Sequence, residues 1–159
     1  VEDCDLGWLE EPVSPENIRG QAEVRAGTDI PIAAGESEQT RFAFRDLIAA
    51  AAVDICQPDP AIAGGITETL RIAALASAHG LTVAPHLWGG AVLFAAGLHL
   101  CAAVPCATTV EFSRGHNPLL NDLAEEEFDL VDGHVQVPDR PGLGLTLDRE
   151  FVQAITVAV

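Results

Sequence analysis

The chain has 159 residues, about the size of one ordinary domain, and its 48% apolar content is enough to bury a core. A formal charge of −16, with eight Arg and no Lys, excludes the basic face that phosphate binding needs, so DNA and RNA are set aside as partners. No run approaches the roughly 20 apolar residues of a membrane span, and Val1-Glu2-Asp3-Cys4-Asp5 is not a basic segment leading into an apolar one, so a soluble cytoplasmic protein is expected.

In chain order, short apolar strands alternate with longer segments of helical period from Leu6 almost to Phe112. Leu6 to Glu10 reads as the first strand. Its helix starts near Ser14-Pro15-Glu16, with Ser as cap and Pro in the first turn, and Gly27 closes it. Ile30 to Ala34 is the second strand, after which Thr40 is placed to cap the helix beginning Arg41-Phe42-Ala43-Phe44. Val53 to Gln57 is the third strand, followed by Gly64-Gly65 and a helix from Ile66 to His79 that Gly80 stops. Leu81 to Ala84 is the fourth strand, Ala91 to Ala103 the next helix, and Thr108 to Glu111 a fifth strand.

The alternation ends after Arg114, where Asn117-Pro118 and Glu125-Glu126-Glu127 open a loop-rich tail. In that tail His134-Val135-Gln136-Val137-Pro138 reads as a short strand, Pro141-Gly142-Leu143-Gly144 as a turn, and Asp148 to Val157 as a capped helix. The expected organisation is a partial β/α unit over residues 1–113 and a tail over 114–159 that packs back on it. Alternating parallel units form either an open doubly wound sheet or a barrel, and five strands cannot close a barrel of eight.

The polar residues fall in a pattern. Glu10 and Glu11 before Pro12, Glu36 after Gly35, Asp59 in Gln57-Pro58-Asp59-Pro60, and His86 in Ala84-Pro85-His86-Leu87 all sit at strand-to-helix junctions. Catalytic groups of β/α barrels project from the C-terminal ends of successive strands, so these residues read as one shared site. Cys4, Cys56, Cys101 and Cys106 form no CxxC pair and are read as reduced thiols. Gly64-Gly65 lacks the rest of a phosphate-loop motif, and His79, His99, His116 and His134 have no ligand spacing. The acidity fits a solvated surface and equally a carboxylate metal site that uses only a few of the acids, and charge alone does not separate the two.

Trp8-Leu9-Glu10-Glu11-Pro12, Ala34-Gly35-Glu36, Asp54-Ile55-Cys56-Gln57-Pro58-Asp59, Gly64-Gly65-Ile66-Thr67-Glu68, Pro85-His86-Leu87-Trp88-Gly89, Glu111 and Pro141-Gly142-Leu143-Gly144 occur in that order. Together they resemble the C-terminal part of the enolase superfamily, in its mandelate racemase-like branch. The resemblance covers nearly the whole chain and implies the C-terminal part of a TIM-like (β/α) barrel whose N-terminal capping domain is absent. It implies Glu10 and Glu36 as ligands of Mg²⁺, completed by water and a substrate carboxylate. It implies His86 and Asp59 as a dyad in which Asp59 orients the imidazole and raises its basicity. It implies Glu111 as a protonated acid that hydrogen-bonds the enolate oxygen. Glu11 is the weaker ligand candidate, because adjacent side chains on a strand face opposite ways.

The implied chemistry is Mg²⁺-dependent removal of the proton α to a small carboxylate substrate, through an enediolate. Dehydration of a sugar acid or other 2-hydroxy acid is favoured, because His86 alone can serve both proton transfers. Racemisation or epimerisation is the alternative. Where the muconate-lactonizing and dipeptide-epimerase branches carry a catalytic Lys, this chain has Ile62, which disfavours them. The Asp ligand of the preceding strand and a base opposite His86 lie outside the sequence, so a fragment of a longer enzyme, or a chain that depends on a homo-oligomer or complementing chain, is expected. A non-catalytic fragment is the rival from a different class, and a barrel enzyme of phosphate chemistry is a weaker third.

Overall fold

A computed structural model describes residues 2–157. Its framework is a parallel sheet with helical crossovers: β1 (Leu9–Glu10), α1 (Ile18–Ala26), β2 (Ile32–Ala34), α2 (Thr40–Ala49), β3 (Ile55–Cys56), α3 (Pro60–Ala63), α4 (Gly65–Ala78) and β4 (Thr82–Val83). The strand order is β1-β2-β3-β4, with Glu10 opposite Ala33, Ala34 opposite Cys56, and Cys56 opposite Val83. Strands in chain order, each followed by helix, form the wall of a β/α barrel. After β4 come α5 (Ala91–Ala103), α6 (Pro118–Asn121), the antiparallel pair β5 (Leu130–Val131) and β6 (His134–Val135), and α7 (Arg149–Ile155).

The apolar positions that set the helical period build two cores. One joins Phe44, Leu47 and Ile48 of α2 with Ile72, Ala73 and Ala76 of α4 over Ala34, Cys56 and Val83 of the sheet. The small residues on α4 let it lie close to the sheet and to α2. The second core gathers Leu87, Phe94, Leu98 and Leu120, with Phe112, Phe128 and Val135 packed against it. Phe94 stacks on Phe112 and meets the edge of Phe128, both at 4.7 Å between ring centroids. Each such pair contributes about 0.5–1.5 kcal/mol beyond area burial, which ties the tail to the barrel wall.

Two local expectations are corrected. The expected strand Thr108 to Glu111 does not form: Ala107 makes one parallel bridge to Val83, and the ladder ends with the Thr108 N–H on the Val83 carbonyl. Beyond it Val110 and Phe112 turn into the second core, so packing overrides the β-branched character of the segment. Nor does Ser14 cap its helix, since its hydroxyl donates to Glu16, whereas Thr40 Oγ1 accepts the Phe42 N–H at 3.4 Å. Asn17 caps α1 by accepting from the Gly20 N–H at 3.0 Å. Thr40 is the first residue of α2, at φ +62°, and the Arg41 N–H is satisfied by Glu68 Oε1 from α4 at 3.0 Å.

Two acids, Glu68 buried and Asp54 half-buried, brace the wall. Glu68 also receives the Arg41 guanidinium at 2.7 Å and that of Arg71 at 2.9 Å. At the opposite end of the sheet Asp54 accepts from Arg25 at 2.6 Å and from the Ile32 N–H at 2.9 Å. Burial pushes the Asp54 carboxyl up, but the Arg25 guanidinium and the Ile32 N–H outweigh it and hold it below the ordinary aspartate value. The apolar surroundings push the Cys56 thiol up to about 12 and the Cys101 thiol up to about 11, which leaves both protonated.

Candidate active site

Every sequence-predicted site residue but Glu111 lies at or just beyond the C-terminal end of a sheet strand. Glu10 ends β1, Glu36 follows β2, Asp59 follows β3 and His86 follows β4. Glu36 is placed by Gly35, whose φ is +130° and whose missing Cβ leaves room for the Phe44 ring; a Cβ there would lie 2.6 Å from it. Asp59 is held between Pro58 and Pro60 as the N-cap of α3, its Oδ1 accepting from the Ala61 N–H at 2.7 Å. The loop bearing His86 is pressed against α5 at Gly97, where a Cβ would meet Leu87 Cδ2 at 2.3 Å.

The structure joins Asp59 to His86. Asp59 Oδ2 lies 2.8 Å from His86 Nδ1, and both side chains are buried. An ionised carboxylate accepts only, so the Nδ1 position carries the proton and Nε2 is the nitrogen left for chemistry. Nε2 faces Glu36 Oε2 at 3.4 Å. The hydrogen bond to Asp59 raises the imidazolium pKa against the lowering effect of burial, and the charges of Glu111 and Glu36 add to it. Glu111 Oε2 accepts the Leu87 N–H at 2.7 Å, so it steadies the residue next to His86 and leaves Oε1 as its other oxygen.

The acids at β1 and β2 are crowded. Burial raises the Glu11 pKa, with Glu36 and then Glu10 and Glu38 adding, although its carboxylate accepts the Gly35 N–H. Glu11 also takes φ +37°, an uncommon conformation for a residue with a Cβ. Burial likewise raises Glu38, with the charge of Glu16 adding. Among the described residues no Arg pairs with Glu10 or Glu36. Such a site favours a cation, and hard carboxylate oxygens suit a divalent one. Among the described residues no group of three or more His, Cys, Asp or Glu is arranged to hold a metal ion.

Sequence reasoning missed Gln57. It is 5% exposed, and its Nε2 donates to Glu10 Oε2 at 2.7 Å. The signal available was a polar residue in the motif that carries Asp59. The remaining histidines stand apart: His99 Nε2 lies 3.4 Å from the Leu143 carbonyl, and His134 Nδ1 2.8 Å from the Asp132 carbonyl. A hollow of about 660 Å³ bounded by Pro60, Ile66, Val92, Leu119 and Leu143 is apolar and holds none of these groups.

Comparison with known proteins agrees with this fold. A family profile described as enolase C-terminal domain-like matches residues 1–151. D-galactarolactone cycloisomerase of Agrobacterium fabrum is 41% identical over 153 residues, which are 91% of this chain and 40% of that protein. D-xylonate dehydratase of Haloferax volcanii is 40% identical over 154 residues, 97% of this chain and 37% of that protein. The crystal structure of a mandelate racemase/muconate lactonizing enzyme from Jannaschia sp. CCS1 superimposes with a TM-score of 0.88 at 38% identity, covering 98% of this chain and 39% of that one. The chain therefore spans about two fifths of the length of these relatives. It belongs to the enolase C-terminal domain-like family, as a barrel portion of the mandelate racemase-like branch of the enolase superfamily.

Proposed function

We propose that the protein carrying these residues removes the proton α to the carboxylate of a sugar acid and completes its dehydration, with Mg²⁺ as cofactor. The observation that carries this reading is the buried Asp59–His86 contact at 2.8 Å, which leaves Nε2 facing the acids of the neighbouring strand ends. Glu10 and Glu36 are the residues that would hold the ion. When bound, it supplies positive charge beside the substrate carboxylate, where negative charge gathers as the proton leaves.

The chain's own residues perform the proton transfers. His86 Nε2 takes the α-proton, and Asp59 stabilises the imidazolium that results. The electron pair of the broken C–H bond moves onto the carboxylate to give an enediolate, and then returns to form a carbon–carbon double bond as the β C–O bond breaks. The departing hydroxide receives the His86 proton and leaves as water, and the enol becomes a 2-keto acid. Glu111, whose Oε2 accepts the Leu87 N–H, would be the acid that hydrogen-bonds the substrate oxygen on which charge develops. The portion before Arg114 carries this machinery, and Leu120, Phe128, Val135 and Val137 of the tail brace it through the second core.

The similarity to D-galactarolactone cycloisomerase favours a second reading. A β-oxygen tethered in a ring would be expelled by the same two transfers and yield an isomer instead of water. Both readings are tested by incubating the full-length protein and Mg²⁺ with a panel of sugar acids and their lactones in D₂O. Loss of the α-proton with formation of a 2-keto acid or an isomer, abolished in His86→Asn, is the expected result. Absence of α-proton loss from every carboxylate tried would overturn the reading.

A further inference from the structure

Gln57 has no part in the proton transfers, yet it reaches from the third strand to the acid on the first. Its N–H bonds to the Ala34 carbonyl at 2.9 Å, which fixes its backbone against the end of β2. Its side chain crosses β2 to place Nε2 2.7 Å from Glu10 Oε2. The crossing is sterically open because β2 ends in Ala33-Ala34 and continues to Gly35, residues with nothing beyond a Cβ. Trp8 Nε1 donates to the same Oε2 at 3.2 Å. Among the described residues no donor is recorded on Glu10 Oε1.

Both donors are neutral. A guanidinium or ammonium in their place would offset the charge of Glu10, whereas an amide and an indole hold one oxygen and leave the full charge on the group. Resting on the reading of Glu10 as a ligand, we propose that Gln57 is a positioning residue that holds Glu10 by Oε2 and presents Oε1 to a divalent cation, with Trp8 as a second, longer donor. Groups that orient metal ligands in this way typically set affinity by about 10–100-fold.

The test is calorimetric titration of the full-length protein with Mg²⁺, comparing wild type with Gln57→Leu, Trp8→Phe and Glu10→Gln, alongside thermal melts of the metal-free proteins. Affinity reduced about 10–100-fold in Gln57→Leu, with a smaller loss in Trp8→Phe and a melting temperature close to wild type, is expected. Unchanged affinity in Gln57→Leu, while Glu10→Gln loses binding, would overturn the positioning role and leave the ligand role standing. Undiminished binding in Glu10→Gln, or none in wild type, would remove the ligand reading and this inference with it. Should Gln57→Leu fail to fold, Trp8→Phe decides, because Trp8 is partly exposed and its indole bond is the change made. As a readout free of metal, the Gln57 side-chain amide protons should exchange slowly in wild type and fast in Glu10→Ala; equal exchange would also overturn the proposal.

Discussion

Asp59 and His86 are 27 residues apart in sequence and 2.8 Å apart in space, because β3 and β4 are neighbours and each carries one of them just past its end. Asp59 has two tasks, since its other oxygen caps α3 on the Ala61 N–H. Asparagine can keep the cap but cannot offer a carboxylate to the imidazole. Asp59→Asn should therefore fold normally, retain metal binding, and lose turnover by about 10²–10⁴-fold, the range for a general base. The rate of α-proton loss from substrate checks this, and unchanged turnover would remove the dyad from the mechanism.

Gly35 is where the backbone leaves β2 and delivers Glu36. In Gly35→Ala the new Cβ meets the Phe44 ring at 2.6 Å, and φ +130° is unfavourable for any residue with a side chain. Overpacking of this kind costs about 1–3 kcal/mol, so the urea midpoint should fall. Phe44→Leu added to Gly35→Ala should recover part of that loss by removing the ring, whereas independent, additive effects would show that the contact is not the cause.

Much of this arrangement was legible in the sequence because it is set locally. Ala91 to Ala103 forms a helix with the bounds its composition indicates, and Gly27 and Gly80 follow helices that stop where expected. The placement of Glu10, Glu36, Asp59 and His86 at strand ends follows from the same alternation. What could not be read is long-range. The Arg41 amide at the start of α2 is satisfied from α4, which no local cap signal reports. The segment after Ala107 has the residues of a strand but leaves the sheet, because Phe112 is drawn onto Phe94. The contact of Gln57 with Glu10 depends on crossing the intervening strand β2, a distance invisible in one dimension.

Asp54 sets an acid limit on stability. Its carboxyl is held below the ordinary aspartate value in the fold, so its contribution is present above about pH 4, the unfolded value. It is lost as pH falls through the lower folded value. Wild type should exceed Asp54→Asn by about 1–2 kcal/mol near neutrality, given charge-assisted bonds that are one-third exposed and partly screened. Urea melts from pH 7 down to pH 2.5 should show that gap narrowing below about pH 4; a gap independent of pH would mean the carboxylate charge contributes nothing.

Glu68 links the helix after Glu36 to the helix after Gly64. One carboxylate receives the Arg41 N–H and the guanidinium groups of Arg41 and Arg71, and those bonds hold it below the ordinary glutamate value. Removing it in Glu68→Ala leaves the Arg41 amide without its acceptor and separates two positive charges from their shared counter-charge. The Arg41 and Phe42 amides should then exchange with solvent faster, and α2 should fray from the end nearest Glu36 while the α5 amides keep their protection. Glu68→Gln retains an acceptor oxygen and should fall between wild type and Glu68→Ala. Protection at Arg41 unaltered in Glu68→Ala would show that α2 begins independently of α4, and that the position of Glu36 owes nothing to this bridge.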